Sequence, residues 1–523
     1  MKIFNTEQIR SWDAWTIEHE PIRSVDLMNR AAQVFTDWLT GLYPDTRRSV
    51  VIFAGTGNNG GDGLVVARLL HWLNYDVKVF VCDLSGKRSP DFEAQLIPKP
   101  EDIDVVFLQD SGGLKAIAVP ENALIVDALF GSGLTRPLEG DWLQVIRFLN
   151  DLPNEIVSID LPSGLFADRA TPGDAVVKAN RTFSFESPKR AFFFAENAER
   201  VGEWTYGSIG LHLDFYNRAE TPFHFLTAYQ AGLLMRPRPK FSHKGTYGHA
   251  LVIAGSYGKM GAAVLAARGC LRAGAGLLSV HAPRCGFVVL QTAVPEAMFS
   301  ADRRATMWTG APDLQSYAAI GAGPGIGRAP ETADALKNML IALQNTSRGL
   351  VLDADALNLL ADNPGWWRWM PRNTVITPHP KEFERLFGRS ANDFERNDLQ
   401  RAKAQEHGIF IVLKGAHTAV ACPDGACWFN STGNPGMATG GSGDVLAGIL
   451  TGLLAQGYSA RDAALLGVFL HGLAGDLAAQ KRGLAGLTAG DIAENLGEAE
   501  NAMSEKRAQQ EKPRPGQAGT RFY

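Results

Sequence analysis

The chain is poor in cysteine and has no strong excess of either charge. Its five cysteines, at 82, 270, 285, 422 and 427, form no CxxC pair and no cluster with histidine. That spacing argues against a structural zinc site and against a disulfide framework. A net charge of −4 over 523 residues gives no electrostatic reason to bind nucleic acid or an anionic membrane. We therefore expect small-molecule partners, and the composition leaves a homo-oligomer open.

Long hydrophobic runs are also missing. The longest uncharged apolar run, Val445 to Ala460, is interrupted by glycine and is shorter than the about 20 residues that span a bilayer. The first residues, MKIFNTEQIRSWD, contain no apolar signal-peptide core. We therefore expect a cytoplasmic protein that makes no contact with a membrane.

Glycine, in contrast, is abundant, and the 55 glycines cluster after short β-branched runs, where a backbone turns sharply or approaches a ligand. Each half of the chain alternates such runs with helical stretches, the pattern of a mostly parallel sheet covered by helices. We predict an α/β protein with two domains, residues 1–220 and 221–500, and a disordered polar tail over 501–523. The halves show no sequence repeat, so the two domains are expected to differ.

The predicted elements follow the hydrophobic pattern. In the first half the strands are Ser49–Ala54, Val77–Cys82, Val105–Leu108, Leu124–Ala128, Ile156–Asp160 and Thr182–Phe185, and the helices are Thr6–Leu42 in two pieces around Pro21, Asp62–Leu73 and Trp142–Asn150. In the second half the strands are His249–Ala254, Leu277–His281, Ala318–Gly321, Leu350–Asp353, Val375–Thr377, Ile409–Lys414 and the hairpin Ala419–Cys422/Ala426–Phe429. No clear alternation is expected over 213–240.

Three predicted strand ends in the first half combine glycine with oxygen-bearing side chains. They are Thr56-Gly-Asn-Asn-Gly-Gly-Asp-Gly63, Phe130-Gly-Ser-Gly-Leu-Thr-Arg-Pro137 and Asp160-Leu-Pro-Ser-Gly164. None is a GxGxxG or GxxxxGK[ST] motif, although Arg136 is suited to a phosphate. A single aspartate at a strand end is commonly a turn or a cap. Three such ends at one edge of a sheet predict a shared ligand site.

One subset of these residues suggests a cation. Asn59, Asp127 and Ser163 offer only oxygen atoms and one formal charge. That set suits a weakly held alkali cation better than zinc or a catalytic divalent ion.

The motifs AGTGNNGGDG, DALFGSGLTRP and SIDLPSG together resemble the NAD(P)HX epimerase family of the YjeF N-terminal type, over about residues 1 to 215. The resemblance implies a Rossmann-like domain that interconverts the R and S forms of hydrated NADH or NADPH. It implies potassium at Asn59, Asp127 and Ser163, and we assign the acid–base role to Asp160. The residues implied to contact the hydrated dinucleotide are Asn58, Asn59, Gly60, Gly61, Asp62, Gly131, Ser132, Gly133, Leu134, Thr135, Arg136, Pro137 and Asp160.

The second half contains a longer glycine loop, Asn434-Pro-Gly-Met-Ala-Thr-Gly-Gly-Ser-Gly-Asp444, and an apolar helical pattern follows it. Backbone N–H groups of such a loop and the helix dipole favour an anion. Asp444, in the first turn, is suited to take the proton of a hydroxyl about to be phosphorylated. The alternative is that Ser442 or Asp444 only caps the helix.

Further strand ends accompany this loop: Gly321-Ala-Gly-Pro-Gly325, Thr377-Pro-His-Pro-Lys-Glu382 and Lys414-Gly-Ala-His-Thr418. His379, held between two prolines, is a candidate ligand contact. Lys414 provides a cation, and Gly415 and the Thr418 hydroxyl follow it closely. Such a segment is suited to a nucleotide phosphate. The segment 255–263 leads into a helix crowded with small residues, and Ala262 in that turn is a candidate substrate contact.

The motifs AGS, GAGPG, TPHPKE, KGAHT and NPGMATGGSGD resemble the ADP-dependent NAD(P)HX dehydratase family, which has the ribokinase-like fold, over about residues 225 to 500. The resemblance implies ADP as co-substrate, with magnesium accompanying it. The residues implied to bind the nucleotide are Lys414, Gly415, Ala416, His417, Thr418 and Gly443. Those implied to contact the hydrated cofactor are Ala262, Gly323, His379 and Asp444. Both halves in one chain resemble bifunctional NAD(P)H-hydrate repair enzymes, which perform metabolite repair.

Two alternatives remain open on the residues alone. The second half resembles ordinary small-molecule kinases as well, since these share the GxGD loop with ATP as donor. Such a kinase would release a stable phosphorylated product, and the first half would have no explained role. Alternatively, the first half is a non-catalytic nucleotide-binding or protein-binding module.

Overall fold

The structure, a computed structural model, describes residues 1–96 and 103–511, with side chains through Ser504. Its first sheet consists of β1 (Val50–Ala54), β2 (Val77–Cys82), β3 (Asp104–Leu108), β4 (Leu124–Ala128), β5 (Ile156–Ile159), β6 (Arg181–Phe185) and β7 (Glu203–Gly207). All neighbouring strands are parallel, in the order β3-β2-β1-β4-β5-β6-β7. The order reverses between β1 and β4, which defines a Rossmann-like, doubly wound sheet.

Helices cover both faces of this sheet because its central strands are buried on both sides. They are α1 (Thr6–His19), α2 (Ser24–Leu42), α3 (Asn58–Trp72), α4 (Pro90–Leu96), α5 (Asp141–Asp151), α6 (Ala198–Val201) and α7 (Leu213–Arg218). Asn5 and Gln8 form a capping box that begins α1. The four-residue break around Pro21 between α1 and α2 is the one that the proline predicts.

The second sheet consists of β8 (Phe223–Leu226), β9 (His249–Ile253), β10 (Leu277–Ala282), β11 (Met298–Ala301), β12 (Ala319–Ala322), β13 (Gly349–Leu352), β14 (Val375–Ile376), β15 (Phe410–Leu413), β16 (Ala419–Ala421) and β17 (Cys427–Asn430). Their order is β11-β10-β9-β12-β13-β14-β15-β16-β17-β8, and only β16 runs antiparallel to its neighbours. This order reverses between β9 and β12, so a second crevice opens there.

The helices of this half are α8 (Ala228–Leu234), α9 (Met260–Arg272), α10 (Phe287–Ala293), α11 (Pro330–Leu343), α12 (Asp355–Asp362), α13 (Pro380–Phe387), α14 (Asp393–His407), α15 (Ser442–Ala455), α16 (Ala460–Arg482), α17 (Ala489–Glu494) and α18 (Leu496–Glu511). Residues 445–455 of α15 are all buried, so it is the central helix of this domain. By length and composition α16 could cross a membrane, but 67% of its most apolar window is buried, as in a core helix.

Every strand predicted from the sequence is confirmed to within two residues, including the antiparallel hairpin of β16 and β17. The prediction missed β7, β8 and β11, which are short and stand at or near sheet edges, where the apolar pattern is weak. The predicted start of the third helix at Asp62 was wrong, because α3 begins at Asn58. The Asn-Asn-Gly-Gly stretch therefore forms the first turns of a helix rather than a loop.

Two predictions near the domain ends need correction. Residues 501–511 were expected to be disordered, but α18 continues through them to Glu511. The rest of that predicted tail, 512–523, lies outside the described residues. The stretch 213–240 was expected to lack a clear strand–helix alternation, yet it contains α7, β8 and α8 in that order, and the chain passes from the first sheet to the second between Gly207 and Phe223.

The two halves are joined by more than this connection. The Ile3 N–H donates to the Phe223 carbonyl, and the Phe225 N–H donates to the Met1 carbonyl, both near 2.9 Å. The first residues of the chain thus extend the edge strand β8 of the second sheet. Nearby, the Phe193 ring stacks on Phe429 with a centroid separation of 4.4 Å. The predicted 1–220 unit therefore contributes backbone to the other domain's sheet.

Candidate active sites

The first crevice lies where β1 and β4 diverge, and the segments that follow these strands border it. α3 begins there, so its first N–H groups face the crevice. The close approach of this turn to β1 requires glycine, because a Cβ on Gly60 would lie 1.8 Å from the Gly55 carbonyl oxygen. Among the side chains of this turn, Asn58 is exposed and Asn59 is buried.

Asp127, Asn59 and Ser163, predicted as a cation site, lie around Phe130 and Gly131. Asp127 is fully buried, and it accepts hydrogen bonds from the Ser163 N–H at 2.8 Å and the Ser163 hydroxyl at 2.5 Å. Ser163 Oγ in turn accepts from the Phe130 N–H. A Cβ on Gly131 would lie 3.2 Å from Asn59 Oδ1. Asp127 and Ser163 are therefore in direct contact, and Asn59 lies beside Gly131, next to the residue that Ser163 contacts.

Burial raises the pKa of Asp127, and the hydrogen bonds from Ser163 oppose that rise. The amide nitrogen of Asn59 is buried without a hydrogen-bond partner. Because the two ends of an amide are close in shape, turning it places a carbonyl oxygen at that point. The oxygen donors fit a monovalent cation, which would also offset the burial of the Asp127 charge. Among the described residues, no group of three or more His, Cys, Asp or Glu could hold a metal ion.

Asp160 lies directly after β5 in a strained conformation, with φ of +65°. Such left-handed backbone is uncommon for a residue other than glycine and is typical of functional sites. One carboxylate oxygen, Oδ1, is 3.0 Å from Lys189 Nζ and accepts from the Phe185 N–H at 3.2 Å. The other, Oδ2, faces the glycine loop, where the Ser132 N–H lies 3.4 Å away. The arrangement leaves Oδ2 toward the crevice and holds Oδ1 from behind.

Lys189 is a functional candidate that the sequence interpretation missed. Its side chain is only 1% exposed, and besides Asp160 it donates to Ser184 Oγ at 2.9 Å. A buried lysine needs such partners because an isolated charge is costly to bury. The available signal was its place between Pro188 and an apolar run, in the segment SPKRAFFF.

Three further carboxyl groups surround the Asp160–Lys189 pair. Burial raises the pKa of Asp13 to about 7, with Asp160 adding to the rise and Lys189 opposing it. Burial also raises the pKa of Asp62 well above its ordinary value, and Asp160 adds to that rise. Burial raises the pKa of Glu186, and hydrogen bonds to its carboxylate oppose that rise. The crevice thus groups carboxyl groups whose pKa is raised by burial around the Asp160–Lys189 pair, an arrangement typical of acid and base chemistry.

The predicted loop 131–137 forms the outer wall of this crevice. Arg10 donates to the Gly133 carbonyl at 3.0 Å, and Thr6 donates to the Ser132 carbonyl at 3.2 Å, so α1 holds the loop. Arg169 donates to the Thr135 carbonyl from the other side. Arg136 is exposed at the rim.

The second crevice is a cleft of about 510 Å³ above the carboxyl ends of the second sheet. Ala262 and Asp444, both predicted as substrate contacts, line it. Its remaining lining residues are Gly258, Lys259, Gly261, Leu265, Gly325, Ala354, Asp355, Asn358, Glu382, Gly440 and Gly441. Glycine and acidic groups predominate, which suits a ligand that brings its own charge and cations.

The first turn of α15 forms the floor of this cleft. Gly441 precedes the helix with φ of +95°, and no side chain caps it, so the predicted cap by Ser442 or Asp444 is not formed. Ser442 Oγ donates instead to the Met437 carbonyl, and the His471 ring contacts the Ser442 carbonyl at 3.0 Å. Burial lowers the pKa of His471 to about 4, so the ring that contacts the Ser442 carbonyl is uncharged at neutral pH. The Ser442 N–H donates to the Thr439 carbonyl, and the N–H groups of Gly443 and Asp444 remain available to an anion.

Asp444 lies in that turn, and its pKa is raised above the ordinary value of an aspartate. Burial raises its pKa to about 6, the Asp353 carboxylate adds to the rise, and Lys414 opposes it. A carboxylate in this range is ionised at neutral pH and is still a better base than an ordinary aspartate. Asp444 therefore has the properties of a general base.

Lys414 and Gly443, both predicted to bind nucleotide, meet at the same turn. A Cβ on Gly443 would lie 3.3 Å from Lys414 Nζ. Lys414 Nζ donates to Asp353 Oδ1 at 2.9 Å. Burial acts to lower the pKa of Lys414, but Asp353 outweighs it and raises the pKa, so the ammonium stays charged. A cation beside free N–H groups suits a phosphoryl group.

The rest of the predicted nucleotide segment, 415–418, is a tight turn. Gly415 and Ala416 are exposed at its tip, and Thr418 Oγ1 donates to the Gly415 carbonyl. The His417 ring turns away, since it lies 5.3 Å from the Phe193 ring of the first domain. Its Nδ1 is 3.2 Å from the Asn430 carbonyl. We therefore expect any contact of His417 with a nucleotide to be made by its backbone atoms.

His379 and Gly323, both predicted as contacts of the hydrated cofactor, do not line the cleft but adjoin residues that do. The His379 ring caps α13 by accepting from the Lys381 and Glu382 N–H groups, and its Nε2 is 3.5 Å from Glu382 Oε1. Gly323 has φ of +134°, and a Cβ there would lie 1.8 Å from the Asp353 carbonyl oxygen. Glu382 and Asp353 are candidates that the sequence interpretation missed. Asp353 shows the same sequence pattern as Asp160, because it is an aspartate that directly follows a buried strand.

The fold and the two crevices define a class of protein: a two-domain α/β enzyme with a Rossmann-like domain ahead of a ribokinase-like domain. Residues 24–191 match the family model described as YjeF-related protein N-terminus. Residues 250–497 match the model described as NAD(P)H-hydrate dehydratase.

Full-length relatives combine the same halves. The bifunctional NAD(P)H-hydrate repair enzyme of Moorella thermoacetica is 38% identical over 464 residues, covering 86% of this chain and 87% of that protein. The enzyme of the same name from Escherichia coli is 38% identical over 477 residues, covering 90% and 88%. A crystal structure of the ADP/ATP-dependent NAD(P)H-hydrate dehydratase from Bacillus subtilis, co-crystallised with ATP and Mg²⁺, is 30% identical, with a TM-score of 0.48, covering 54% of this chain and 98% of that one.

The chain belongs to the family of bifunctional NAD(P)H-hydrate repair enzymes. The α/β fold class and the resemblance of both halves are thereby confirmed. An unrelated small-molecule kinase joined to a binding module would not share both halves with these relatives.

Proposed function

We propose that the chain repairs hydrated NADH and NADPH in two steps, with Asp160 and Asp444 as the acid–base groups. The first domain interconverts the R and S hydrates, and the second dehydrates the S hydrate with ADP. The observation that carries the proposal is the turn at the start of α15. There, free N–H groups, the Lys414 ammonium and a carboxylate with a pKa of about 6 adjoin one cleft.

The dehydration needs activation because hydroxide is a poor leaving group at neutral pH. Asp444 accepts the proton of the C6 hydroxyl while that oxygen attacks the β-phosphorus of ADP, and AMP leaves. The C6–O bond then breaks as the ring nitrogen donates its electron pair, and phosphate departs. Loss of a proton from C5 restores the double bond of NADH. The products are NADH, AMP and phosphate.

The protein's part in that step is positioning and charge stabilisation. Lys414 and the N–H groups of Gly443 and Asp444 are suited to stabilise the transferring phosphoryl group, whereas the Ser442 N–H donates to the Thr439 carbonyl. Backbone groups of the 414–418 turn are suited to the adenylate part. Magnesium is expected to arrive with ADP, held by its phosphates and by water, since this half offers no cluster of metal-binding side chains among its described residues.

The epimerisation at C6 requires the hydroxyl to be exchanged or the ring to be opened, and either route moves a proton. Asp160 Oδ2 faces the crevice and is suited to move it, while Lys189 holds the other oxygen, Oδ1, in place. The carboxyl groups of Asp13 and Asp62, with raised pKa values, are suited to return a proton. Joining the two domains is chemically useful, since hydration of a planar ring gives both epimers and a chiral cleft accepts one.

We propose potassium for the site of Asn59, Asp127 and Ser163. Replacing potassium by sodium is expected to lower the melting temperature of the native chain by about 2 °C, because sodium is too small for donors spaced for potassium. Asn59→Ala should remove the difference between the ions. Equal melting temperatures in both ions for the native chain would contradict the site.

The proposed function is tested with a mixture of R- and S-NADHX, incubated with the chain and ADP. We expect complete return of NADH absorbance, with one AMP formed for each NADH. A stable phosphorylated product without NADH would instead indicate an ordinary kinase. We also propose that this takes place in the cytoplasm, in keeping with five free cysteines, four of them buried.

A further inference from the structure

Asp353 is a buried carboxylate that the proposed chemistry does not yet use. It directly follows β13, in the middle of the second sheet, and its side chain is only 2% exposed. Its Oδ1 accepts a hydrogen bond from Lys414 Nζ at 2.9 Å. An acidic group placed this close to a phosphate site is unfavourable for phosphate binding, so a purely binding site would do better without it.

The backbone around Asp353 is built to hold it there. Ala354 has φ of +51°, a left-handed conformation in a residue other than glycine. Gly323 has no side chain, and any Cβ there would lie 1.8 Å from the Asp353 carbonyl oxygen. Strained backbone of this kind persists only where its surroundings enforce it, and it concentrates at functional sites.

Asp353 and Lys414 both lie against the first turn of α15. A Cβ on Gly443 would be 3.3 Å from Lys414 Nζ and 3.6 Å from Asp353 Oδ2. Gly443 is the residue before Asp444, so the carboxylate, the ammonium and the proposed base share one turn. Without Asp353, the Lys414 charge would act on Asp444 alone.

We propose that Asp353 is a positioning residue of the dehydratase site, which holds Lys414 against the α15 turn and offsets its charge so that Asp444 remains an effective proton acceptor. The inference rests on the proposed function of the second domain. Asp353 acts through Lys414 and Asp444 and need not touch the substrate.

The charged groups around Asp444 determine the sign of the effect. Removing the Asp353 charge removes a like charge from Asp444 and also leaves the Lys414 charge unopposed, and both changes lower the pKa of Asp444. The other charged or titratable groups of the cleft remain: Asp355, Lys259, Glu382, His379 and His471. None of them is altered in the experiment.

The test compares Asp353→Asn with the native chain, measuring kcat against pH at saturating ADP and S-NADHX. The acidic limb, where Asp444 becomes protonated, is expected to move to lower pH by about one unit. On the plateau kcat should fall about tenfold, because a weaker base removes the proton less well. ADP titrates in the same range, so the readout is the difference between variant and native chain.

Further variants separate this role from a merely structural one. Asp353→Glu should return the limb toward the native pH, and Asp353→Ser, a smaller neutral variant, should shift it as Asp353→Asn does. Asp362→Asn is the matched control, because Asp362 pairs with Arg328 on the surface of the same domain, about half exposed. Its limb and kcat should be native.

Three outcomes overturn the inference. The first is that the acidic limb of the kcat–pH profile stays at the native pH in both neutral variants. Asp353 and Lys414 would then form a purely structural ion pair, even if the melting temperature or KM of the variants changes. The second is a limb that Asp353→Glu shifts as far as Asp353→Asn. The third is the absence of turnover by the native chain, which would overturn the proposed function as well, whereas the first two leave it standing.

Discussion

At the residue scale, both crevices depend on carboxyl groups whose surroundings change their proton affinity. Burial raises the pKa of Asp444 to about 6 and that of Asp13 to about 7. Asp160 is held from behind by Lys189, so one of its oxygens stays directed at the crevice. Each site thus contains a carboxylate suited to act at neutral pH, beside a cation that fixes the local charge.

Asp160→Asn is expected to leave dehydration of the S hydrate unchanged but to strand the R hydrate, because an amide cannot accept the proton. With a mixture of epimers, NADH absorbance should recover rapidly for the S fraction and then stop, and chromatography should show R-NADHX remaining. Asp174→Asn makes the same chemical change at a fully exposed side chain and should repair both. Rapid repair of both epimers by Asp160→Asn would contradict the acid–base assignment.

At the element scale, the sites are made by strand ends and by the helices that follow them. The prediction of both sites rested on this pattern: a buried strand, then glycine and a polar side chain. It pointed to Asp127, Asp160 and the α15 turn, and the structure places each of them beside one of the two crevices. Lys189 was missed because the segment SPKRAFFF lacks the glycine of this pattern, and only the fold brings Lys189 to Asp160.

Other details depended on tertiary packing and were beyond a sequence pattern. The start of α3 at Asn58 reflects the fit of its glycines against β1, which overrides the weak helix propensity of an Asn-Asn-Gly-Gly stretch. The His417 ring turns toward Phe193 because the first domain offers it an aromatic partner. Phe193 is far from His417 in sequence, and the sequence pattern around β1 does not show how closely α3 approaches it.

Gly323→Ala tests the packing of a strand end. A Cβ there would meet the Asp353 carbonyl at 1.8 Å, and φ of +134° is unfavourable for alanine. We expect the free energy of unfolding of the second domain to fall by about 3 kcal/mol, with most dehydratase activity lost. Calorimetry and turnover would measure both. Gly365→Ala, where nothing lies within 4 Å, is the control, and equal stability of the two variants would contradict the account.

At the scale of the whole molecule, the domains form an extensive contact. Arg190 of the first domain is buried, and it donates to Asn397 Oδ1 and to the Phe394 carbonyl of the second. Its guanidinium also lies 4.2 Å from the centre of the Phe223 ring. Glu196 and Asp393 exchange hydrogen bonds between their carboxylates and backbone N–H groups. The arrangement keeps the epimerase and dehydratase domains together.

Arg190→Ala is expected to lower the melting temperature by about 5 °C, since it leaves buried acceptors unpaired and removes the cation–π contact. Calorimetry should show the two domains unfolding in separate steps rather than together. Arg23→Ala removes an arginine of an exposed ion pair and should unfold as the native chain does. A native melting profile for Arg190→Ala would show that this contact does not couple the domains.

The most direct test of the whole account is Asp444→Asn, assayed with S-NADHX and ADP. The pKa of Asp444 is about 6 in the folded chain and 3.8 ordinarily, so its contribution to stability is lost as pH rises from about 4 to 6. Above pH 6 the variant should therefore be at least as stable as the native chain, and it should still bind ADP. We predict that NADH recovery and AMP formation fall at least a thousandfold, of the order expected when a general base is removed. Turnover within tenfold of the native rate, in a folded variant that binds ADP, would contradict the account.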